Sequence, residues 1–584
     1  MSFRLALVLF VMQAGSLHSK DGPLFTWWIA GPLDKIKPLD SAPGSLVRSV
    51  DLYAGRNEFE PFQIVLRPEG RDAAGVDIEF SDFQSDGGAQ ISKDNVTVYA
   101  ERFVNLSQPS TIEGGAGLWP DALVPRVDRY AGERRNAFPL SVEQGHNQPV
   151  WVDVFIPESA RPGRYTGLAR ISRNGVVDFA VPIHLRVWAF VLPSTATLKS
   201  SFGLSGTNLL KQHRGRYTND EDLYTLTRVY AKAALLHRIS VHGGSMAPPR
   251  YRYQDGQVDI GWGEYDKEVG PFLDGSALSA GESLHGARAT SVELRQPSSF
   301  PSEEEQALYW AAWIRHFQQK GWDDRLFRYL WDEPASGDFP KVLERGRASL
   351  RASPGLRNLV TVPYTSKLEE VVQIWVPLVN CLESKPGYDD FCAETPPLDA
   401  YTREKRQGKS LWFYQSCASH GCNVSGGRYF IGWPSYMIDA SGAANRVMQW
   451  LAWKYRIAGE LYYSMNEGYG ADKDPWTNVR LSGGNGDGSL FYPGSPARIG
   501  GHTDIPIESI RLKLVREGME DYEYLALLAK LAGQQAADEY ADRLVKKPYL
   551  WESRQAAFLK VRWDLGETLD RLAISPRVNR RGGP

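Results

Sequence analysis

Neither sign of charge is in excess along this chain: 67 basic residues stand against 69 acidic ones, a formal net charge of -2 over 584 residues. That balance leaves no electrostatic footprint for nucleic acid and no charged block for a membrane surface. Beyond the first residues no apolar run is long enough to cross a bilayer. No glycine-rich phosphate fingerprint follows a predicted strand, which removes the usual nucleotide-binding folds. Cysteine is scarce, and all four lie in one region: Cys381, Cys392, Cys417 and Cys422. In an exported chain an even count favours two disulfides, with three connectivities open. Pairing of Cys381 with Cys392 and of Cys417 with Cys422 closes short loops and is the expected one. A zinc site recruiting His420 would need a ligand spacing that this region lacks.

Aromatic residues, by contrast, are plentiful at 12% of the chain, with 18 Trp and 27 Tyr. They fill cores, and they also offer platforms for the apolar faces of sugar rings. The N-terminus, "MSFRLALVLFVMQAGSLHSK", places Arg4 before an apolar run from Leu5 to Met12 and then small residues. This is the shape of a secretory signal peptide over 1–19, too short to span a bilayer. The mature chain is therefore expected to be soluble and secreted or periplasmic.

A chain of this length holds two or three domains. From Phe25 to about Leu192, segments such as "VTVYAERFVNL", "PVWVDVFIP" and "YTGLARISR" alternate apolar and polar residues between Gly, Pro and Asn turns. Helical periodicity is nearly absent, and an antiparallel β-sandwich is expected over 20–193. After Pro193, apolar strand candidates alternate with helical stretches: a helix from Ser302 to Lys320 before "RLFRYLWDEP", a helix from Ser441 to Ala458 before "GELYYSMN". Ser441 is the expected N-cap and Gly459 the expected stop of the second helix. The alternation predicts a (β/α)8 barrel of the TIM type over 194–532, with a doubly wound open sheet as the runner-up. A helix from about Ile507 to Ala532 carries an apolar stripe of Val515, Met519, Tyr522, Leu525 and Leu528, and a helical extension fills 533–584.

The stretch "RLFRYLWDEPASGDF" ends a predicted strand with Asp332 and Glu333 side by side. In a (β/α)8 barrel the active site lies at the carboxyl ends of the strands. Pro334 is expected to hold Glu333 extended. Neighbours on a regular strand face opposite ways, so the strand must bend or end at this pair if both carboxylates are to share a pocket. Glycosidases with their own nucleophile set two carboxyls about 5 Å apart on opposite sides of the sugar, and inverting ones farther apart. Adjacent residues approach from one side. They suit a mechanism in which the substrate's 2-acetamido oxygen attacks, one carboxylate steadies the amide nitrogen, and the other acts as acid and then base. The plain alternative, an aspartate capping a turn beside a solvated glutamate, is how most Asp-Glu pairs are used, and "DEP" alone does not displace it.

Together, "YLWDEP", "VQIWVP", "LWFYQSC", "RVMQWLAWKYRIAGELYYSMN", "GDGSLFYPG" and "SIRLKLVREGMEDYEYLALL" resemble glycoside hydrolase family 123 and the related domain of unknown function 4091. "AGRNEFEPFQIVL", "PVWVDVFIP" and "RPGRYTG" resemble the sandwich that precedes the barrel in those proteins. The resemblance implies an exo-acting β-N-acetylgalactosaminidase working by substrate assistance, with Asp332 orienting the acetamido group and Glu333 as general acid/base. It implies no metal or organic cofactor and a glycan or glycoconjugate as partner. A glycosidase for a different 2-acetamido sugar, and a non-catalytic glycan-binding surface protein, are the competing readings. His242, Tyr364, Trp412, Tyr414 and Tyr463 fall at predicted strand tips, Trp433 in a loop able to close over them, and Asn466 just past the last strand; all seven are candidates for sugar contact. For each, packing or loop anchoring is the competing role. Asp487 and Arg516, in motifs shared with the family, are expected to lock a long loop to the barrel. A calcium reading of "NGDG" lacks its remaining ligands. Sequons stand at Asn95, Asn105 and Asn423.

Overall fold

The computed structural model describes residues 24–574, apart from 244–247, 389–391, 393–394, 420, 423, 425–426 and 471–473. The expected signal peptide, His420 and the Asn423 sequon therefore lie outside the described residues.

Two sheets form the first part of the chain. One runs Phe25–Ala30, Glu58–Pro68, Gln148–Ile156, Val96–Leu106 and Gly117–Pro125, antiparallel throughout. The other runs Val50–Arg56, Val176–Val191, Gly163–Arg173, Ala73–Phe80 and Leu140–Val142. Its first pair is parallel, a departure from the all-antiparallel expectation. Inward residues of both sheets, among them Ile64, Val152, Val76, Ile171 and Ile183, join one hydrophobic cluster. Gly163–Arg173 shows the alternation that one buried face produces, whereas Gln148–Ile156 is buried at every position. The reason is that the first sheet is covered twice: its outer residues Tyr99, Leu123 and Trp151 belong to the core shared with the second part of the chain.

That second part is an eight-stranded parallel sheet curled into a nearly closed barrel. Its strands are β1 (Lys199–Gly203), β2 (Val241–His242), β3 (Val292–Glu293), β4 (Leu326–Trp331), β5 (Asn358–Val360), β6 (Ile374–Trp375), β7 (Ser410–Tyr414) and β8 (Gly459–Tyr462). Each pairs with its chain neighbour, and β8 returns to β1; β2 and β3 are the two ends of the order. Helices connect most strands, but β5 and β6 are joined by turns alone. The barrel interior is filled by Phe327, Leu359, Ile374, Trp412 and Leu461.

Two local expectations change. The helix before β8 is broken at Val447 into Gly442–Arg446 and Met448–Lys454, with Ser441 capping the first by accepting from the Ala444 amide. It stops at Lys454, and Gly459 opens β8 instead, because a side chain there would come within 2.3 Å of the Trp412 ring. The long helix spans Ile510–Ala532, and Ile507 lies in a strand. From Ile510 to Asp521 that helix is buried on all sides rather than along one stripe, since it fills the space between the first sheet and the barrel. Its charges meet buried partners: Arg511 grips Asp121, and Arg516 and Lys513 grip Asp153. Just before it, strands Phe491–Gly494 and Ile505–Ser509 return to extend the first sheet. Both expected disulfides, Cys381–Cys392 and Cys417–Cys422, are formed. No described helix is long and apolar enough to cross a membrane.

Candidate active site

Asp332 and Glu333 stand immediately after β4, at the carboxyl end of the barrel, and both are exposed. Two irregularities deliver these neighbours to one side. The first is a register shift between Tyr329 and Trp331 in the pairing of β4 with β5. Phe327 and Tyr329 belong to the barrel interior, while Leu330 and Trp331 both join the outer core, with the Arg345 guanidinium 4.6 Å from the Trp331 ring. A bulge of this kind inserts one residue and re-aims the side chains beyond it. Asp332, which strict alternation would send outward, thus meets the inward Tyr329. The second is the backbone of Glu333, with φ +44. The expected extended conformation before Pro334 does not occur; the residue occupies the left-handed region, costly for a side-chain-bearing residue.

Thr361, one residue past β5, holds both members. Its hydroxyl donates to Asp332 Oδ1 over 2.8 Å and accepts the Glu333 amide over 2.7 Å. The Tyr329 hydroxyl also donates to Asp332 Oδ1, over 2.8 Å. From across the mouth, at the end of β7, the Tyr414 hydroxyl donates to Glu333 Oε1 over 2.5 Å. Burial first, then the neighbouring carboxylates, push both tyrosines well above the usual phenol range, so each stays a donor. His242, at the end of β2, packs edge-on against Tyr329 with ring centroids 6.5 Å apart and lies 3.0 Å by Nδ1 from the Ser201 hydroxyl. Burial lowers its pKa, which keeps the imidazole neutral. Glu293, the last residue of β3, and Arg295 just past it, paired at 3.2 Å, together with Asp332 make up its charged surroundings.

Of the seven candidate sugar contacts, the structure gathers His242 and Tyr414 around the pair. Trp412 shares the inward face with Tyr414 but lies one layer deeper, 3% exposed and 5.9 Å from the Phe327 ring, so it plugs the barrel instead of lining its mouth. Tyr364 packs outside the strands against Trp375 and Tyr401 and donates to Glu369. Trp433 is buried among Tyr429, Phe430 and Tyr549, its indole nitrogen bound to the Tyr429 carbonyl. Asn466 is fully buried and spends its amide on both backbone groups of Ser205, tying the loop after β8 to the loop after β1. Tyr463 is half-buried at the mouth and donates to Asp487 over 3.0 Å.

Residues 39–173 match the family model described as the glycoside hydrolase 123 N-terminal domain, and residues 297–528 match the glycoside hydrolase 123 catalytic domain. The chain belongs to glycoside hydrolase family 123. A family 123 glycoside hydrolase from Clostridium perfringens, whose structural analysis addressed glycolipid glycan hydrolysis, shares the fold with a TM-score of 0.67 at 14% identity, over 94% of this chain and 99% of that one. A Bacteroides ovatus GH5 xyloglucanase also matches, with a TM-score of 0.28 at 10% identity over 81% and 98% of the two chains, too low to bear on the site. No curated protein matches the chain.

Within this family 123 chain, the catalytic-domain match contains the Asp332–Glu333 pair and its neighbours Tyr329 and Thr361, which are not among the candidates named from the sequence. Tyr329 had a signal, since it lies three residues before Asp332 on the alternation that makes Phe327 inward. Thr361 had none, because its place depends on where β5 ends.

Proposed function

We propose that this family 123 glycosidase removes terminal β-linked N-acetylgalactosamine by a retaining, substrate-assisted mechanism, with Asp332 as the orienting carboxylate and Glu333 as the acid/base. The observation that carries this reading is the delivery of two adjacent carboxylates to one side of the barrel mouth by the bulge in β4 and the left-handed Glu333. One side suits proton transfer and amide orientation; it does not suit a nucleophile facing an acid across the sugar.

In the first step the acetamido carbonyl oxygen attacks the anomeric carbon as the glycosidic C–O bond breaks, and the leaving oxygen takes the proton of Glu333. Positive charge builds on the acetamido nitrogen, and its N–H is stabilised by Asp332. Tyr329 and Thr361 both donate to Asp332 Oδ1, which fixes the carboxylate and leaves Oδ2 for that N–H. In the second step Glu333, now ionised, takes a proton from water as its oxygen attacks the anomeric carbon from the face the leaving group vacated, and the acetamido ring reopens. Two inversions give net retention. Fixed donors around the pair do this without reorganising at the moment of reaction.

Glycolipid glycans, the subject of the Clostridium perfringens structure, make the ends of glycoconjugates the substrates to try first. We read the first two sheets as a β-sandwich domain ahead of the catalytic barrel, and the two disulfides as favouring an exported protein. The test is hydrolysis of a chromogenic β-N-acetylgalactosaminide by the chain and by Glu333→Gln. The reading expects activity that the substitution abolishes and that a thiazoline analogue of the cyclised intermediate inhibits. Activity that survives Glu333→Gln overturns the assignment, and turnover confined to sugars lacking the 2-acetamido group overturns the mechanism.

A further inference from the structure

A cleft of about 1000 Å³ lies between the edge strand Val50–Arg56 of the second sheet, residues 28–49 ahead of it, and the C-terminal helix Gln555–Ile574. None of its lining residues belongs to a barrel strand. Val50–Arg56 buries Val50 and Leu52 and turns Asp51 and Tyr53 outward, as alternation along a strand requires. The helix buries Phe558, Val561, Leu565 and Leu569. It comes close to the sheet at Gly566, where a side chain would lie within 2.2 Å of the Trp188 ring, and Trp188 Nε1 donates to Glu567 over 3.0 Å. Trp563, less than one turn before this contact, is thereby set beside Tyr53.

The two rings form one platform. Tyr53 stacks on the buried Trp188, with ring centroids 6.3 Å apart and planes 29° apart, and Trp563 meets Tyr53 edge-on at 6.1 Å. Tyr53 keeps 38% of its surface exposed and Trp563 37%, so packing uses up neither ring. Apolar residues scattered singly over a surface need no explanation, but two aromatic rings from distant parts of the chain that meet in a cleft do. Hydrogen-bond acceptors stand around them. Asp51 projects from the same strand face as Tyr53. Asp34 accepts the Gly31 amide at 3.0 Å and the Gln555 side-chain amide at 2.9 Å, both on Oδ2, which keeps Oδ1 for another donor. Glu60 also lines the cleft, held by Arg562 at 2.7 Å. The cations here are already engaged by acids: Arg562 by Glu58 and Asp521 as well, Arg446 by Glu517 and Asp521, and Lys560 by Asp564.

We infer that this cleft is a second carbohydrate-binding site, apart from the barrel mouth, for a neutral, hydroxyl-rich sugar. A pyranose presents a face of C–H groups and a rim of hydroxyls. The C–H face suits the Tyr53–Trp563 platform, and the hydroxyls donate to Asp51 and Asp34. Carboxylates accept such bonds strongly and repel an acidic sugar, which sets the class as neutral. The cleft has the volume of an ordinary small-molecule site. Holding a glycan at this second point raises the local concentration of its chain ends at the barrel. The inference does not depend on which sugar the barrel cleaves or by which mechanism.

The test titrates the full chain with lactose, a neutral disaccharide, and with 3′-sialyllactose, which adds one acidic sugar, reading affinity by ligand-observed NMR. Lactose is expected to bind more tightly than 3′-sialyllactose. Trp563→Ala and Tyr53→Ala are each expected to weaken lactose binding by about three- to tenfold, and Asp51→Asn by about fivefold. Asp51→Asn removes only a charge from an exposed position, so it keeps the test open should an aromatic variant not fold. Lactose bound equally by wild type and the folded variants would sit elsewhere, at the barrel mouth for instance, and overturns the inference. No binding of lactose, or tighter binding of 3′-sialyllactose, overturns it too. So does a dimer in sedimentation that Trp563→Ala dissociates, since a second copy of the chain would then cover the platform. Each of these failures leaves the roles of Asp332 and Glu333 untouched.

Discussion

The Tyr414 hydroxyl donates to Glu333 Oε1 over 2.5 Å, joining the ends of β7 and β4 across the mouth of the barrel. Burial first and the Glu333 charge second raise the phenol pKa, so this proton is present across the working pH range. Tyr414→Phe removes the donor and leaves the packed ring. Loss of one fixed donor beside the reacting groups is expected to lower kcat by about tenfold to a hundredfold, with melting temperature nearly unchanged. Steady-state kinetics with a melting curve make the check. Wild-type kcat in a folded Tyr414→Phe would mean that this bond does not shape the reacting geometry.

Glu333 holds a left-handed backbone at φ +44, with its amide fixed by Thr361. Such a conformation costs on the order of 1 kcal/mol for most residues, and Asn tolerates it far better. Glu333→Asn is expected to abolish hydrolysis while matching or exceeding the stability of Glu333→Gln by about 1 kcal/mol in urea unfolding. An Asn variant less stable than the Gln variant would mean that the backbone there is not strained.

Much of this architecture is legible from the residues. Two-residue alternation marks the strands of the first two sheets, and the strand–helix rhythm after Pro193 marks the barrel, because each element buries one face and its period shows. The same rule fails where both faces are buried. The long helix reads as one apolar stripe, yet Arg511, Lys513, Arg516 and Asp521 lie buried with its leucines, since Asp121 and Asp153, hundreds of residues earlier, meet the three cations and Arg446 meets Asp521. Aromatic residues also mislead at strand ends. Trp412 and Tyr414 differ by one barrel layer, and only the pairing register of β7 with β8 decides which one reaches the mouth. The proposed catalytic pair is visible as "DEP", whereas the bulge and the left-handed Glu333 that bring it to one side leave no mark in the letters.

Asp153 joins the first sheet to the long helix. Burial alone would raise its pKa, but Arg516 and Lys513 hold it well below the usual carboxylate range. A depressed acid stabilises the fold above its unfolded pKa and ceases to do so as pH falls through the folded one. Asp153→Ala leaves two cations buried without this partner, and a loss of about 3–5 kcal/mol is expected at neutral pH. The wild-type advantage over Asp153→Ala should shrink steadily in strong acid. A substitution that costs less than about 1 kcal/mol at pH 7 would show that the contact is not holding the two parts together.

Glu460 shows the opposite sign. It lies in β8 on the outer side of the barrel, accepting from the Tyr436 hydroxyl and, at 2.7 Å, from the Gln449 amide. Burial raises its pKa to about 7 against the pull of those two bonds. The folded state therefore holds this proton more tightly than the unfolded chain does, so the stability it contributes is complete below the unfolded pKa and is lost as pH rises through about 7. Glu460→Gln is neutral at every pH. Around pH 5 the two proteins should unfold at similar urea concentrations, and by pH 8 the variant should be the more stable by about 3 kcal/mol. Glu517 and Glu520, raised in the same direction, are common to both proteins and drop out of the difference. A gap between wild type and Glu460→Gln that stays constant from pH 5 to pH 8 would mean that Glu460 does not titrate in this range.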